Sequence, residues 1–68
     1  MPTAIKTLGD YLLVKRYEKG LKQRYIDQMV GVAISTVRRW ETDVEKPTRD
    51  EWAVLVKVLG LEEDDWKP

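Results

Sequence analysis

The sequence predicts an all-α fold, a compact bundle of four to five short helices that contains a helix-turn-helix. Apolar residues recur three and four positions apart, and no segment alternates apolar with polar residues between turn signals. Glycine and proline divide the chain into pieces of helical length, at Gly9, Gly20, Gly31, Pro47 and Gly60. With 68 residues, a single domain is expected over residues 1–68, with a helical core at about residues 8–66.

The composition argues against several classes of protein. Cysteine and histidine are absent, which removes disulfides, the usual zinc ligands and the commonest general base. We therefore expect no metal site, no cofactor, no small-molecule substrate and no enzymatic activity, since so short a chain also has little room for a closed pocket. No stretch approaches the roughly 20 apolar residues that span a bilayer, and the N-terminus lacks the apolar run of a signal peptide. The expected location is the cytoplasm, without a membrane partner.

Charge is distributed unevenly along a chain whose net charge is zero. Between Tyr11 and Trp40, seven basic residues stand against two acidic ones, whereas between Glu41 and Asp65 nine acidic residues stand against three basic ones. A neutral chain with this polarity can still present one basic face to an anionic partner. Ordinary solvated helix surfaces would give the same pattern, so charge alone leaves both interpretations open.

The first two helices are predicted over Leu8–Lys19 and Gln23–Val30. Thr7 and Asp10 have a spacing that resembles a capping box at the start of the first helix, and a glycine follows each helix where a left-handed closing residue is needed. The apolar face of the first helix carries Leu8, Tyr11 and Leu12, and that of the second carries Ile26, Met29 and Val30. From their helical spacing, we also expect at least two of the three tyrosines to pack against the core: Tyr11, Tyr17 and Tyr25.

The third helix is predicted over Ile34–Glu41, only two residues beyond Gly31, and the segment Thr42–Pro47 is a loop. Thr48 and Glu51 form a better capping box for a fourth helix. Its apolar residues are Trp52, Leu55, Val56 and Leu59, after which Gly60 ends it and Leu61 makes the closing hydrophobic contact. One last helical turn is expected over Glu62–Trp66, with Trp66 anchoring it to the core. Val37, Trp40 and Trp52 are assigned to the core as well.

The functional prediction comes from the two short helices on either side of Gly31. A glycine there lets the chain turn sharply, so that the first helix of the pair lies across a DNA backbone while the second enters the major groove. Val37 and Trp40 point inward, which leaves the outer face of the third helix to a small set of exposed residues. These candidate base readers are Ala33, Ile34, Ser35, Arg38 and Arg39.

Each candidate has a chemical reason. Arginine suits the O6 and N7 acceptors of guanine, and Ile34 and Ala33 suit the thymine methyl. Ser35 can bond a base edge or a phosphate, and Gln23 can offer its amide and its backbone N–H to a phosphate. Further contacts to the DNA backbone are expected from three flanking cations, Lys22, Lys46 and Arg49.

The chain resembles the lambda-repressor/Cro-like, or XRE-type, helix-turn-helix domain family over about Leu8 to Trp66. The residues that carry the resemblance are GlyLeuLysGln at 20–23, GlyVal at 31–32, SerThrValArgArgTrpGlu at 35–41, Pro47, and LeuGly at 59–60. It implies a five-helix domain that binds operator DNA and in most members regulates transcription. It also implies a phosphate contact at Gln23, base contacts at the five candidate readers, backbone contacts near Thr42 and Lys46, and a structural pair at Trp40 and Glu41. Members often bind as dimers, so a homodimer is one alternative to a monomer.

Departures from the family pattern produce a specific hypothesis. Asp27 replaces a small alanine on the face of the second helix that packs against the third, and Ala33 replaces the usual Ser or Thr at the start of the third helix. A buried carboxylate needs a partner, so we expect Asp27 to turn toward a nearby arginine or a free N–H at the start of the third helix. Asp43 and Glu45 place negative charge where phosphates would approach.

Two functions of different classes remain open from the sequence. The first is sequence-specific binding of double-stranded DNA by a transcriptional regulator. The second is a protein–protein interaction module, an antitoxin-like protein or a partner-binding subunit, that keeps the fold with weak or no DNA binding. Zero net charge, Asp43 and the Trp and Tyr content favour the second, since aromatic residues are enriched at protein interfaces.

Overall fold

The computed structural model describes residues 4–62 and residue 64, and in these residues it contains four α-helices and no strand. The helices are α1 (Leu8–Lys19), α2 (Gln23–Val30), α3 (Thr36–Glu41) and α4 (Arg49–Leu59). Helix α3 packs against both α1 and α2, and α4 packs against α2 and α1. The predicted all-α bundle is therefore confirmed. The final turn predicted over Glu62–Trp66, and with it the core position assigned to Trp66, lies largely outside the described residues.

Three of the four helices have the predicted bounds because the free backbone groups at most of their ends find hydrogen-bond partners nearby in the sequence. The Thr48 hydroxyl accepts from Glu51 N and the Glu51 carboxylate accepts from Thr48 N, which completes the capping box of α4. At α1 only half of the capping box is present. Thr7 Oγ1 accepts from Asp10 N, but Asp10 Oδ2 accepts from the backbone N–H of Lys6 rather than from that of Thr7. Helices α1, α2 and α4 each end at a glycine in the left-handed conformation.

Helix α3 begins at Thr36, so the prediction that it starts at Ile34 is wrong by two residues. The reason is the backbone of Ser35, which has φ 73° and ψ 3° and therefore lies in the left-handed region. Ala33, Ile34 and Ser35 consequently form a turn, closed by a hydrogen bond from Thr36 N to Ala33 O. The exposed residues of this turn therefore precede α3 and are not part of its first helical turn.

The core contains Val37 and Trp40 of α3, three of the four apolar residues predicted for α4, and one residue from each of α1 and α2, whereas Val56 is only half-buried. Tyr11 packs at its edge, with its ring stacked on Trp52 at 6.3 Å between centroids. Leu61 is buried beyond the end of α4, which confirms its closing contact. The buried hydrophobic residues are Leu12, Ile26, Val37, Trp40, Trp52, Leu55, Leu59 and Leu61.

Two predictions about apolar side chains are wrong. Met29 is 50% exposed rather than part of the buried stripe of α2, where Ile26 is fully buried and Val30 is only half-buried. Tyr17 and Tyr25 are also exposed, so only one of the three tyrosines packs against the core. The Tyr17 ring instead lies against the Arg16 guanidinium, 4.9 Å from the ring centroid.

Gly9 allows α1 to approach the C-terminal end of α3 closely. A Cβ atom added at Gly9 would lie 2.5 Å from the carbonyl oxygen of Glu41 and 2.7 Å from that of Trp40. Both atoms belong to the backbone, which moves less readily than the end of a side chain. The contact between α1 and α3 therefore requires a residue without a side chain at this position.

Replacing Gly9 by alanine is expected to destabilise the protein by about 2 kcal/mol, since overpacking typically costs 1–3 kcal/mol. For a domain of this size that loss lowers Tm by about 10 °C, which thermal unfolding followed by circular dichroism measures. The direction of the change in stability is diagnostic, because a glycine-to-alanine change inside a helix ordinarily stabilises a protein by about 0.5–1 kcal/mol. Ala53→Gly, on the exposed face of α4, is the matched control and should cost only that ordinary amount. An unchanged or raised Tm in Gly9→Ala would contradict the close approach.

Candidate nucleic-acid interface

Helices α2 and α3 are joined by a tight turn that one residue of α2 organises. Gly31, with φ 83°, and Val32 both donate their backbone N–H to the carbonyl oxygen of Asp27. Val37 and Trp40 bury the inner side of α3, at 3% and 2% exposure. The outer side of the turn and of α3 is left to solvent, which is the geometry of a helix-turn-helix.

The structure brings four of the predicted site residues together on this outer side: Ala33, Ile34, Ser35 and Arg38, all exposed. Ile34 is 64% exposed although it is a large apolar residue. Lys22 precedes α2, Thr42 and Lys46 lie in the loop after α3, and Arg49 begins α4, and all four are exposed as well. Lys46 also lines an open cavity of about 560 Å³ at the start of α1.

The two adjacent arginines of α3 differ in their surroundings. Arg38 is exposed, and among residues 4–62 and 64 no carboxylate forms an ion pair with it. Arg39 is only partly exposed: Nη2 donates to Thr36 Oγ1 at 3.2 Å and Nε lies 3.1 Å from Glu45 Oε1. The second contact is an ion pair without hydrogen-bond geometry, since Nε is buried and lacks a hydrogen-bond acceptor within the described part of the chain. Arg38 is therefore the freer of the two cations.

Asp27 caps α3 from the neighbouring helix. Its Oδ2 accepts from Ser35 N at 3.0 Å and its Oδ1 accepts from Val37 N at 2.8 Å, and the residue is 3% exposed. The hypothesis that this carboxylate turns toward free N–H groups of the third helix is confirmed. The interaction supplies from α2 the cap that α3 lacks in its own sequence, because Ala33 carries no side-chain acceptor and Ser35 makes no side-chain cap.

The two acids after α3 are engaged within the fold. Asp43, with φ 63°, accepts from Thr7 Oγ1 at 2.8 Å and from Gly9 N at 3.0 Å. Its negative charge thus lies at the positive end of the α1 dipole. Glu45 pairs with Arg39. Both carboxylates that were expected to repel phosphates are therefore compensated by protein groups.

A buried ion pair connects α1 to the end of α3. Arg16 Nε donates to Glu41 Oε2 at 2.6 Å and Nη2 donates to Glu41 Oε1 at 3.0 Å, while Nη1 donates to the carbonyl of Leu21. The side chains of Arg16 and Glu41 are 10% and 3% exposed. Gln23 joins the network, because its Nε2 donates to Glu41 Oε1 at 2.8 Å. The half-buried amide nitrogen of Gln23 is thus held by protein, whereas its backbone N–H stays at the start of a helix without a side-chain cap.

Sequence reasoning counted Arg16 only among the basic residues and missed this pair. A signal was present, since Arg16 follows Leu12 by four residues and so shares the buried face of α1. The hydrogen bond that Arg16 donates to Glu41 is the main cause that raises the pKa of Arg16, and it outweighs desolvation, which acts in the opposite direction. A raised folded-state pKa gives stability that is lost only as the pH rises through that value, so the contribution is complete at neutral pH.

The comparison with known families agrees with this geometry. A family model described as Helix-turn-helix matches residues 13–66. The chain therefore belongs to the XRE-type helix-turn-helix family, the lambda-repressor/Cro-like group of DNA-binding domains. No curated protein and no solved structure matches it.

Among residues 4–62 and 64, no helix is both long enough and apolar enough to cross a membrane. The same residues contain no group of three or more acidic side chains placed to hold a metal ion.

Glu41→Gln is expected to lower the free energy of unfolding by about 3 kcal/mol, because removing one partner leaves the buried Arg16 cation without its counter-charge. Urea unfolding at neutral pH measures the change. Glu18→Gln is the matched control: Glu18 pairs with Lys15 at 3.6 Å on the surface, where loss of a pair costs about 0–1 kcal/mol. Equal losses of stability from the two substitutions would show that the buried ion pair contributes no more to the free energy of unfolding than the surface pair does.

Proposed function

We propose that this protein binds double-stranded DNA sequence-specifically, with α3 and the turn before it in the major groove, and regulates transcription. One observation carries the proposal. The inner side of α3 is fixed in the core by Val37 and Trp40, while Ile34, Ser35 and Arg38 are exposed together on the opposite side. A short helix presented in this way suits the major groove, which admits a helix and shows a distinct pattern for each base pair.

The base contacts are assigned by chemistry. Arg38 is the strongest candidate, because its guanidinium is exposed and suits the paired acceptors of guanine. Ile34 and Ala33 offer apolar contact to a thymine methyl, and Ser35 offers a hydroxyl. Arg39 is a weaker candidate than Arg38, since its guanidinium is shared with Thr36 and Glu45.

The phosphate contacts are assigned to residues at the ends of the helices. The backbone N–H of Gln23 lies at the start of α2, where no side chain caps the helix and the dipole favours an anion. Lys22 is adjacent and exposed. On the other side of α3, the exposed residues Thr42, Lys46 and Arg49 are the candidates. These contacts position the protein on the duplex and carry no sequence information themselves.

The alternative, an interaction module without useful DNA binding, has one supporting observation. Tyr25 and Met29, four residues apart on α2 and so on one face of it, are 45% and 50% exposed. A surface of this kind suits a protein partner, a second copy of the chain included. Reversal of charge at Arg38 and Arg39 separates the two functions: loss of DNA binding with unchanged folding supports the regulator, and no effect on any measured binding supports the module.

Selection of binding sites from a random duplex pool, carried out at two salt concentrations, tests the proposal directly. An enriched motif is expected, and a palindromic motif would indicate a homodimer with two half-sites. For the selected site, log K should fall with log salt at a slope of about −3.6 if about four phosphates are neutralised. A pool without enrichment, or an affinity that does not change with salt, would refute sequence-specific DNA binding.

Arg38→Ala is expected to weaken binding to the selected site about tenfold or more, since a good bidentate arginine–guanine contact contributes about 1–3 kcal/mol of discrimination. The loss should be concentrated at one base pair, so a pool selected with the variant should lose preference there. Lys57→Ala, an exposed cation on α4, is the control for the loss of one positive charge and should leave the preferred motif unchanged. The same motif and affinity for Arg38→Ala and the unmodified protein would exclude Arg38 as a base reader.

A further inference from the structure

The turn between α2 and α3 is held at both of its ends by a single residue, Asp27. The carbonyl oxygen of Asp27 accepts from Gly31 N and Val32 N at 3.0 Å each, which fixes the first part of the turn. Its carboxylate accepts from Ser35 N and Val37 N, which fixes the second part. The residue is 3% exposed, so water competes little for these bonds.

The two hydrogen bonds of the Asp27 carboxylate are made at the strained residue of the turn and just after it. Ser35 has φ 73°, a conformation that residues with a side chain adopt rarely and at a cost. The N–H groups that the carboxylate holds are those of Ser35 itself and of the residue two positions later. A strained conformation persists only when surrounding contacts determine it, and the carboxylate supplies two such contacts here.

The residues on either side of this strained position are the candidate base readers. Ile34 comes directly before Ser35 and is 64% exposed, and Arg38 lies within α3, which begins directly after Ser35. The direction in which both side chains project follows from the backbone that the carboxylate holds. Asp27 is itself buried and cannot touch DNA.

We propose that Asp27 is a positioning residue for base recognition: by holding Ser35 N and Val37 N, its carboxylate sets the orientation of Ile34 and Arg38 toward the base pairs. The inference rests on the proposed DNA-binding function and adds a determinant of its specificity. A preorganised recognition surface discriminates between sequences because a misplaced side chain loses its contact with the correct base. Phosphate contacts tolerate such changes better, since they depend mainly on charge.

The experiment compares specific with non-specific binding. Affinities for the selected site and for a random duplex are measured for the unmodified protein, for Asp27→Asn and for the control Asp50→Asn, an exposed acid in the first turn of α4. Asparagine at position 27 has one acceptor oxygen, so one of the two bonds is lost. All measurements are made at a temperature at which circular dichroism shows each variant to be folded.

For Asp27→Asn, we expect the ratio of specific to non-specific affinity to fall at least tenfold, while the affinity for random duplex changes by less than threefold. Sites selected with the variant should lose preference at the base pairs that Ile34→Ala also affects. Asp50→Asn should leave the ratio unchanged. A purely structural role for Asp27 would lower both affinities by the same factor, and that result, or an unchanged ratio, would overturn the inference.

A second background makes the role of backbone conformation explicit. Glycine adopts φ 73° without the cost that serine bears, so Ser35→Gly should reduce the dependence of the turn on Asp27. The fall in the affinity ratio caused by Asp27→Asn should be at least threefold smaller in the Ser35→Gly protein than in the unmodified one. If Asp27→Asn alone does not fold, the ratio is compared between Ser35→Gly and the double variant, and an unchanged ratio there would overturn the inference. Equal falls in both backgrounds would contradict the inference.

Failure of the inference is distinguishable from failure of the proposed function. If the unmodified protein shows no preference for any duplex, the DNA-binding proposal fails and the role of Asp27 in recognition fails with it. If the unmodified protein discriminates and Asp27→Asn discriminates equally well, only the inference fails.

Discussion

The buried ion pair between Arg16 and Glu41 is the interaction on which the arrangement of the first three helices depends. It links the middle of α1 to the end of α3, and through Gln23 it also reaches the start of α2. The guanidinium donates as well to the carbonyl of Leu21, between α1 and α2, so each of its three nitrogens has a hydrogen-bond partner. A buried pair repays its desolvation only when its geometry is good and its remaining hydrogen bonds are made, and both conditions hold here. The outer face of α3 is consequently presented from a fixed support.

Four acidic side chains in or near α3 form contacts within the fold. Glu41 compensates a buried cation, Asp27 accepts from backbone N–H groups, Asp43 lies at the start of α1, and Glu45 pairs with Arg39. Each of these carboxylates is used by the fold, whereas Arg38 has no such partner among the described residues. Summing charges over a sequence treats all of them as equally available to a ligand. The structure shows that they are not, so zero net charge does not by itself argue against DNA binding.

Much of the fold could be predicted because local signals determine it. Helices α1, α2 and α4 end at glycines in the left-handed conformation, and Thr48 with Glu51 marks the start of α4, so their bounds follow from sequence spacing. It was also predictable that Asp27 would find a donor nearby, since a buried carboxylate needs one; of the two donors expected, an arginine or a free N–H of the third helix, the structure shows N–H groups. The start of α3 was not, because Ser35 adopts its positive φ through a contact with another helix. The Arg16–Glu41 pair joins residues 25 positions apart, and periodicity alone does not identify such partners.

The contacts of Asp43 with Thr7 and Gly9 have a consequence for how the protein is handled in the laboratory. They attach the beginning of α1 to the loop that follows α3, so the polypeptide that leads into α1 emerges next to that loop. On the proposed docking the loop faces the sugar–phosphate strands. A fluorophore attached to the side chain of Lys6 would therefore occupy space beside the duplex and weaken binding through steric hindrance. Labels for binding assays should accordingly be attached away from residues 4–7.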